Sequence, residues 1–323
     1  MTKNQFLTDS QRYLADIQGN FKDSTFDERR RKLTHHAEVM YALYQDGKIS
    51  TCNPKKLTKD DIAAYVTYRR GCGIKDSTIR KDLTAIGDLL TYVDNNAMRL
   101  YKVTYGNRRP KSYNGKLEPL SDSVIEKVYA LARSTQKWMV LQGCVAIILG
   151  CAAGLRPQEA RQLYVYDVHH LDENPHIYIR HVKGEGSWGR ARDVPLNDDV
   201  SDIIEKYLRM REMKLKYRRM ESDAMFPPFR SDREFVRQQS MSRYKKHVEQ
   251  AIGETLMLRD GRRAYGQRML DRGVPIEYVS HCMGHDSVET TQKFYADYRD
   301  KMVLGEVRNI LNNNQKRAPI EKR

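Results

Sequence analysis

From residue 57 onward, apolar side chains recur with the 3.6-residue period of a helix. In Leu57-Thr-Lys-Asp-Asp-Ile62 the Thr58 hydroxyl suits an N-cap, and the acidic residues after it fall where the helix dipole favours them. Ile62, Tyr65, Val66 and Arg69 then share one face. The spacing predicts a second helix from Ser77, with Ile79, Leu83, Ile86, Leu89, Leu90 and Val93 as its apolar stripe. The front third therefore reads as a small helical domain. Periodicity stops between Tyr101 and Glu118, where YKVTYGNRRPKSYNGKLE combines two glycines and a proline with many Lys and Arg, the signature of a linker.

Helical patterns return over Ser121–Arg133 and Met139–Leu149. The second lies in the most apolar run of the chain, 139–155. Gln142 and three glycines interrupt that run, so it reads as a buried helix rather than a membrane span. Pro157 suits a first helical position, and Glu159 follows within the same helix. His176–Lys183, HIYIRHVK, is rich in β-branched and aromatic residues. Gly184, Gly186 and Gly189 make a turn, and ARDVPL returns to Leu196, which predicts a β-hairpin. From Val200 onward the pattern is again mostly helical, and Met302, Val303, Val307, Ile310 and Leu311 predict one more helix before a polar, basic end. The expected fold is mainly α with a small antiparallel β-sheet. It comprises a helical domain over residues 1–104, a basic linker over 105–118, an α+β domain over 119–300, and a helix with a basic tail over 301–323. A chain of 323 residues can support two separate cores.

Charge narrows the partners. The 57 Lys+Arg against 42 Asp+Glu leave a formal +15, which favours a polyanion, because each phosphate neutralised releases condensed counterions. Nucleic acid ranks ahead of a membrane surface, since no stretch sets an apolar face against the lysines. The first twenty residues lack the apolar core of a signal peptide, so a cytoplasmic protein is expected. Five cysteines without CxxC spacing argue against both a disulfide framework and a zinc site. His281 and His285 flank Cys282, but no HExxH glutamate or third ligand accompanies them, and no cofactor is expected.

Several residues suit phosphate chemistry. Arg156 is held extended by Pro157 at a helix start, where its guanidinium and free N–H groups can converge on an anion, with Glu159 placed to orient it. Lys183 lies at the hairpin tip. Arg259 and Arg262 fall on adjacent turns of one helix, and Tyr295 and Tyr298 share a helix face. Each feature alone also fits a solvated charge or ordinary packing.

Their order is more informative. Arg156 in AAGLRPQEARQL, Lys183 in VKGEGSWGRARDVPL, Arg262 in RDGRRAYGQRMLDRGV, His285 in MGHDSVETT and Tyr295 in QKFYADY together resemble the signature of the tyrosine recombinase (phage integrase, Xer-like) family. LTKDDIAAYVTYR and STIRKDLTAIGDLLTYV are similar to two DNA-clamping helices of that family's core-binding domain. The resemblance implies a site-specific DNA recombinase that closes two domains as a C-shaped clamp on duplex DNA and works as a homo-tetramer on two paired sites. It implies that Arg156 and Arg262 grip the scissile phosphate and that Lys183 protonates the leaving 5′-oxygen. His285 would hydrogen-bond the phosphate and Tyr295 would be the nucleophile, with Tyr298 second in line. Integration or excision of a mobile element, or resolution of chromosome dimers, would be the natural task. One departure stands out. Where the family usually has His or Lys, three residues before the second arginine, this chain has Arg259, whose pKa above ~12 prevents it from acting as a base. Two other readings share these residues: an inactive DNA-binding regulator, and a type IB topoisomerase-like nickase that needs no pairing of sites.

Overall fold

The computed structural model describes residues 4–111, 118–182, 184, 186, 189–294, 304 and 307–308, with backbone only at 24, 198, 293 and 294. The chain divides into two compact units, residues 1–116 and 117–323.

The first unit is helical: α1 (Gln5–Asp16), α2 (Asp23–Gln45), α3 (Lys59–Gly71), α4 (Asp76–Tyr92) and α5 (Ala97–Thr104). Thr58 caps α3 as expected, in a reciprocal box. Its side chain accepts from the Asp61 amide, and the Asp61 carboxylate takes the Thr58 amide at 2.8 Å. That carboxylate also binds Ser50 through its amide and hydroxyl, so one acidic side chain both caps the helix and holds the preceding loop. Most of the predicted apolar faces are buried: Ile62, Tyr65 and Val66 from α3, and Ile79, Leu83, Ile86, Leu89 and Leu90 from α4, whereas Val93 is the C-cap of α4 and only partly buried. Helix α4 begins one residue before the predicted Ser77. Asp76 occupies its first turn, where it chelates Arg70 at 2.8 and 2.9 Å and accepts the Lys111 amide. Residues 105–111 are therefore tied to the helical unit, and Tyr105, the first residue of the predicted linker, stacks on the buried Tyr101 of α5.

The second unit contains α6 (Asp122–Ser134), α7 (Trp138–Ala153), α8 (Pro157–Arg161), β1 (Val168–His169), β2 (His176–Ile179), β3 (Arg192–Pro195), α9 (Ser201–Arg218), α10 (Gln238–Ile252), α11 (Leu258–Asp271), α12 (Ile276–Met283) and α13 (Val288–Phe294). Helix α7 is the hub. Every residue from Val140 to Ala153 is buried, because α6, α9, α10 and α11 surround it; a helix enclosed on all sides needs no polar face. Gly143 makes that enclosure possible, since a β-carbon there would lie 2.3 Å from the Tyr244 carbonyl oxygen of α10. No helix among the described residues is long and apolar enough to cross a membrane.

The sheet is antiparallel in the order β1-β2-β3. The predicted hairpin is β2–β3, pairing Ile177 with Val194 and Ile179 with Arg192, and its turn is closed by a hydrogen bond from the Gly189 amide to the Gly184 carbonyl. Strand β1 was not anticipated. Two residues are too short for a legible alternation, and only pairing of Val168 with Ile177 and His169 with His176 makes it a strand.

Candidate active site

Helix α8 begins as its sequence dictates. Arg156 is extended (φ −68°, ψ 149°), Pro157 occupies the first turn, and Glu159 reaches back to the Arg156 amide at 2.8 Å. Glu159 is 2% exposed and is the centre of the site. Arg156 Nη1 donates to its Oε1 at 2.7 Å, and Arg192 from β3 approaches its two oxygens at 3.2–3.3 Å. Arg262 from α11 adds an ion pair at 3.7 Å. Burial pushes the Glu159 carboxyl upward, but the guanidiniums of Arg192, Arg156 and Arg262 outweigh it and hold it below the ordinary carboxylate range.

The same arginines bind the end of α12. That helix stops at Gly284, which takes the left-handed conformation (φ 56°) and leaves the carbonyls of the last turn short of helical partners. Arg156 donates to the Gly284 carbonyl at 2.8 Å, Arg192 Nε to that of Cys282 at 2.9 Å, and Arg262 Nη2 to that of Met283, while Arg262 Nη1 reaches the Gly154 carbonyl at 2.7 Å. A β-carbon at Gly284 would lie 2.6 Å from the Arg192 guanidinium carbon, so both its φ and its closeness to the cluster require glycine. Three cations thus cap a helix C-terminus, the end of the dipole that attracts them.

His285 follows that cap. Its Nδ1 lies 2.7 Å from the hydroxyl of Thr291, which is fully buried in α13. Burial first, then the charges of Arg262, Arg156 and Arg192, press its pKa from 6.5 down to about 4, so the ring is neutral near pH 7. A folded-state pKa below the unfolded value means that this contribution to stability is complete above about 6.5 and declines as pH falls from there towards 4. NMR titration of the free protein is expected to place the His285 midpoint near 4. A midpoint at or above 6.5 would show that the ring is neither buried nor faced by these cations.

Three guanidiniums against one carboxylate leave an excess of two positive charges, carried on three separate elements. Such a cluster is preorganised for an anion whose charge grows during reaction. Arg156, the outermost of the three, retains 22% side-chain exposure, and Arg262 is 6% exposed.

The model of the Phage integrase family matches residues 119–302, more than half of the chain. The chain belongs to that family. It is a tyrosine-type site-specific DNA recombinase. Tyrosine recombinase XerC of Rickettsia prowazekii is 25% identical over 292 residues, covering 88% of this chain and 89% of that protein. Tyrosine recombinase XerA of Pyrococcus horikoshii is 24% identical over 190 residues, covering 57% and 59%. Among solved structures, the Tn1549 transposon integrase with transposon right-end DNA superposes with a TM-score of 0.62 at 14% identity, covering 92% of this chain and 98% of that one. The XerH recombinase bound to difH substrate gives 0.63 at 16% identity, covering 89% and 80%.

Of the residues singled out in the recombinase sequence, the structure brings Arg156, Glu159, Arg262 and His285 to one place. Arg259 stands on the exposed side of α11, and no hydrogen bond or ion pair among the described residues joins it to Glu159. Lys183, Tyr295 and Tyr298 lie outside the described residues, as do the positions of the predicted C-terminal helix other than 304, 307 and 308. In sequence, position 183 falls between β2 and β3, and α13 ends at residue 294. Arg192 was missed. It lies two residues before the inward-facing Val194, so strand alternation places it on the buried face; a charge at an inward strand position was the available signal.

Proposed function

We propose that this recombinase cleaves and rejoins double-stranded DNA through a 3′-phosphotyrosine on Tyr295. The convergence of Arg156, Arg262 and His285 around the end of α12 carries this reading. A duplex partner is supported by the DNA-bound structures of the Tn1549 integrase and XerH.

A phosphodiester resists nucleophiles because its own charge repels them. Arg156 and Arg262 bind its non-bridging oxygens and stabilise the charge that accumulates as the phosphorus gains a fifth ligand. His285 adds a neutral donor in the tautomer with the proton on Nε2, the one in which Nδ1 accepts from Thr291. Tyr295 Oη bonds to phosphorus, the bond to O5′ breaks, and the Lys183 ammonium gives O5′ its proton. The phenol proton passes to water, since Arg259 cannot accept it and the surrounding cations favour the phenolate. The new phosphotyrosine keeps the phosphodiester linkage, so the 5′-hydroxyl of a second duplex displaces the tyrosine without ATP. Four protomers on two paired sites would complete the exchange.

Two labelled duplexes carrying the attachment site, mixed with the protein in EDTA, test this. Recombinant strands joining ends of different molecules are the expected products. Relaxation of a single supercoiled circle with no joined ends would instead favour the topoisomerase-like activity.

A further inference from the structure

The turn between β1 and β2 has the sequence His169-His-Leu-Asp-Glu-Asn-Pro-His176. Pairing of β1 with β2 sets His169 opposite His176, and their rings stack with centroids 4.4 Å apart and planes 10° from parallel. Asp172 turns back over the pair, its carboxylate 3.4 Å from His169 Nδ1, and one ligand atom from each of the three residues lies within 4.8 Å of the other two.

The surrounding bonds hold the arrangement. His176 Nδ1 sits 2.9 Å from the Asn174 carbonyl; only a protonated Nδ1 can donate to it, which leaves the Nε2 lone pair free. Pro175 stiffens the turn and its carbonyl accepts the Leu196 amide at 2.9 Å, while Ser201 Oγ donates to the His170 carbonyl at 3.1 Å. The 3.4 Å between Asp172 and His169 already matches an edge of a tetrahedron around zinc, about 3.4 Å for bonds of about 2.1 Å. A second carboxylate, Asp193 of β3, lies 3.9 Å from His176 Nε2.

We propose that His169, Asp172 and His176 form a surface site for a divalent transition metal of the zinc type. Two imidazoles with a carboxylate select zinc, nickel or copper over calcium and magnesium, which prefer oxygen alone. The three ligands are separate from the arginines that meet on Glu159, so the ion is assigned no part in DNA cleavage. Its effect is to clip a two-residue strand onto its neighbour and so stiffen the sheet whose other hairpin carries Lys183.

The test is titration of the metal-free full-length chain with Zn²⁺, followed calorimetrically, for wild type, Asp172→Asn and the His169→Asn/His176→Asn double variant. Wild type is expected to bind one ion through this site, with affinity falling at least about tenfold in Asp172→Asn and a hundredfold or more in the double variant. Zn²⁺ should raise the thermal midpoint of wild type but not of the double variant. All three ligands are at least partly exposed, and matching circular dichroism without metal would verify that the variants are folded. X-ray absorption of the zinc-loaded protein should show nitrogen and oxygen ligands only. Equal affinity in the double variant, no binding by wild type, or sulfur in the metal's shell would overturn the proposal, the last by pointing to exposed Cys72.

Discussion

Tyr295→Phe is expected to abolish the covalent protein–DNA adduct while leaving duplex binding within about twofold of wild type. Binding rests on Lys and Arg contacts to phosphate that the phenol hydroxyl does not make. Loss of a nucleophile typically costs about 10⁴-fold or more, because no neighbouring group replaces it. A nicked duplex with the suspected site, incubated in EDTA and run on a denaturing gel, gives the readout. Tyr298→Phe should still form the adduct. Loss of the adduct in Tyr298→Phe alone would move the nucleophile three residues along. If wild type binds the duplex and forms no adduct, the regulatory reading gains, and Arg259→His becomes the restoring substitution to make.

Glu159→Ala is expected to cost about 3–5 kcal/mol of unfolding free energy, the scale for leaving buried charges without their partner. Arg192 and Arg262 would remain buried beside Arg156 with no carboxylate between them. Glu159→Gln keeps the shape and some hydrogen bonds, so it should fall between alanine and wild type. Both tryptophans, Trp138 and Trp188, belong to the second unit, and their fluorescence during urea unfolding reports on that unit. Because the folded carboxyl lies below its ordinary range, its stabilising effect is present above the unfolded pKa of about 4.5 and is lost as pH falls below it. An unchanged urea midpoint for Glu159→Ala at pH 7 would show that the carboxylate does not hold the cluster.

Much was legible in the sequence because it is local. The Thr58 cap, the α4 stripe, the largely apolar α7 and the β2–β3 hairpin each depend on residues within a few positions of one another. Arg156, Arg262 and His285 were nameable for a different reason, their resemblance to a known signature; chemistry alone could not separate them from solvated charges. Glu159 was expected to orient Arg156, which it does, but its hold on two further arginines was not visible.

The sequence by itself determined the mainly helical character, the large positive charge, the buried hub helix and the residue types able to hold a phosphate. Tertiary structure alone decided that Arg192 faces inward, that Arg156, Arg192 and Arg262 meet on one carboxylate, and that together they cap the helix preceding His285. Those residues are up to 128 positions apart. Local periodicity records which face of an element is buried, but not which distant element covers it, and a charge is stable in a core only when such a partner arrives.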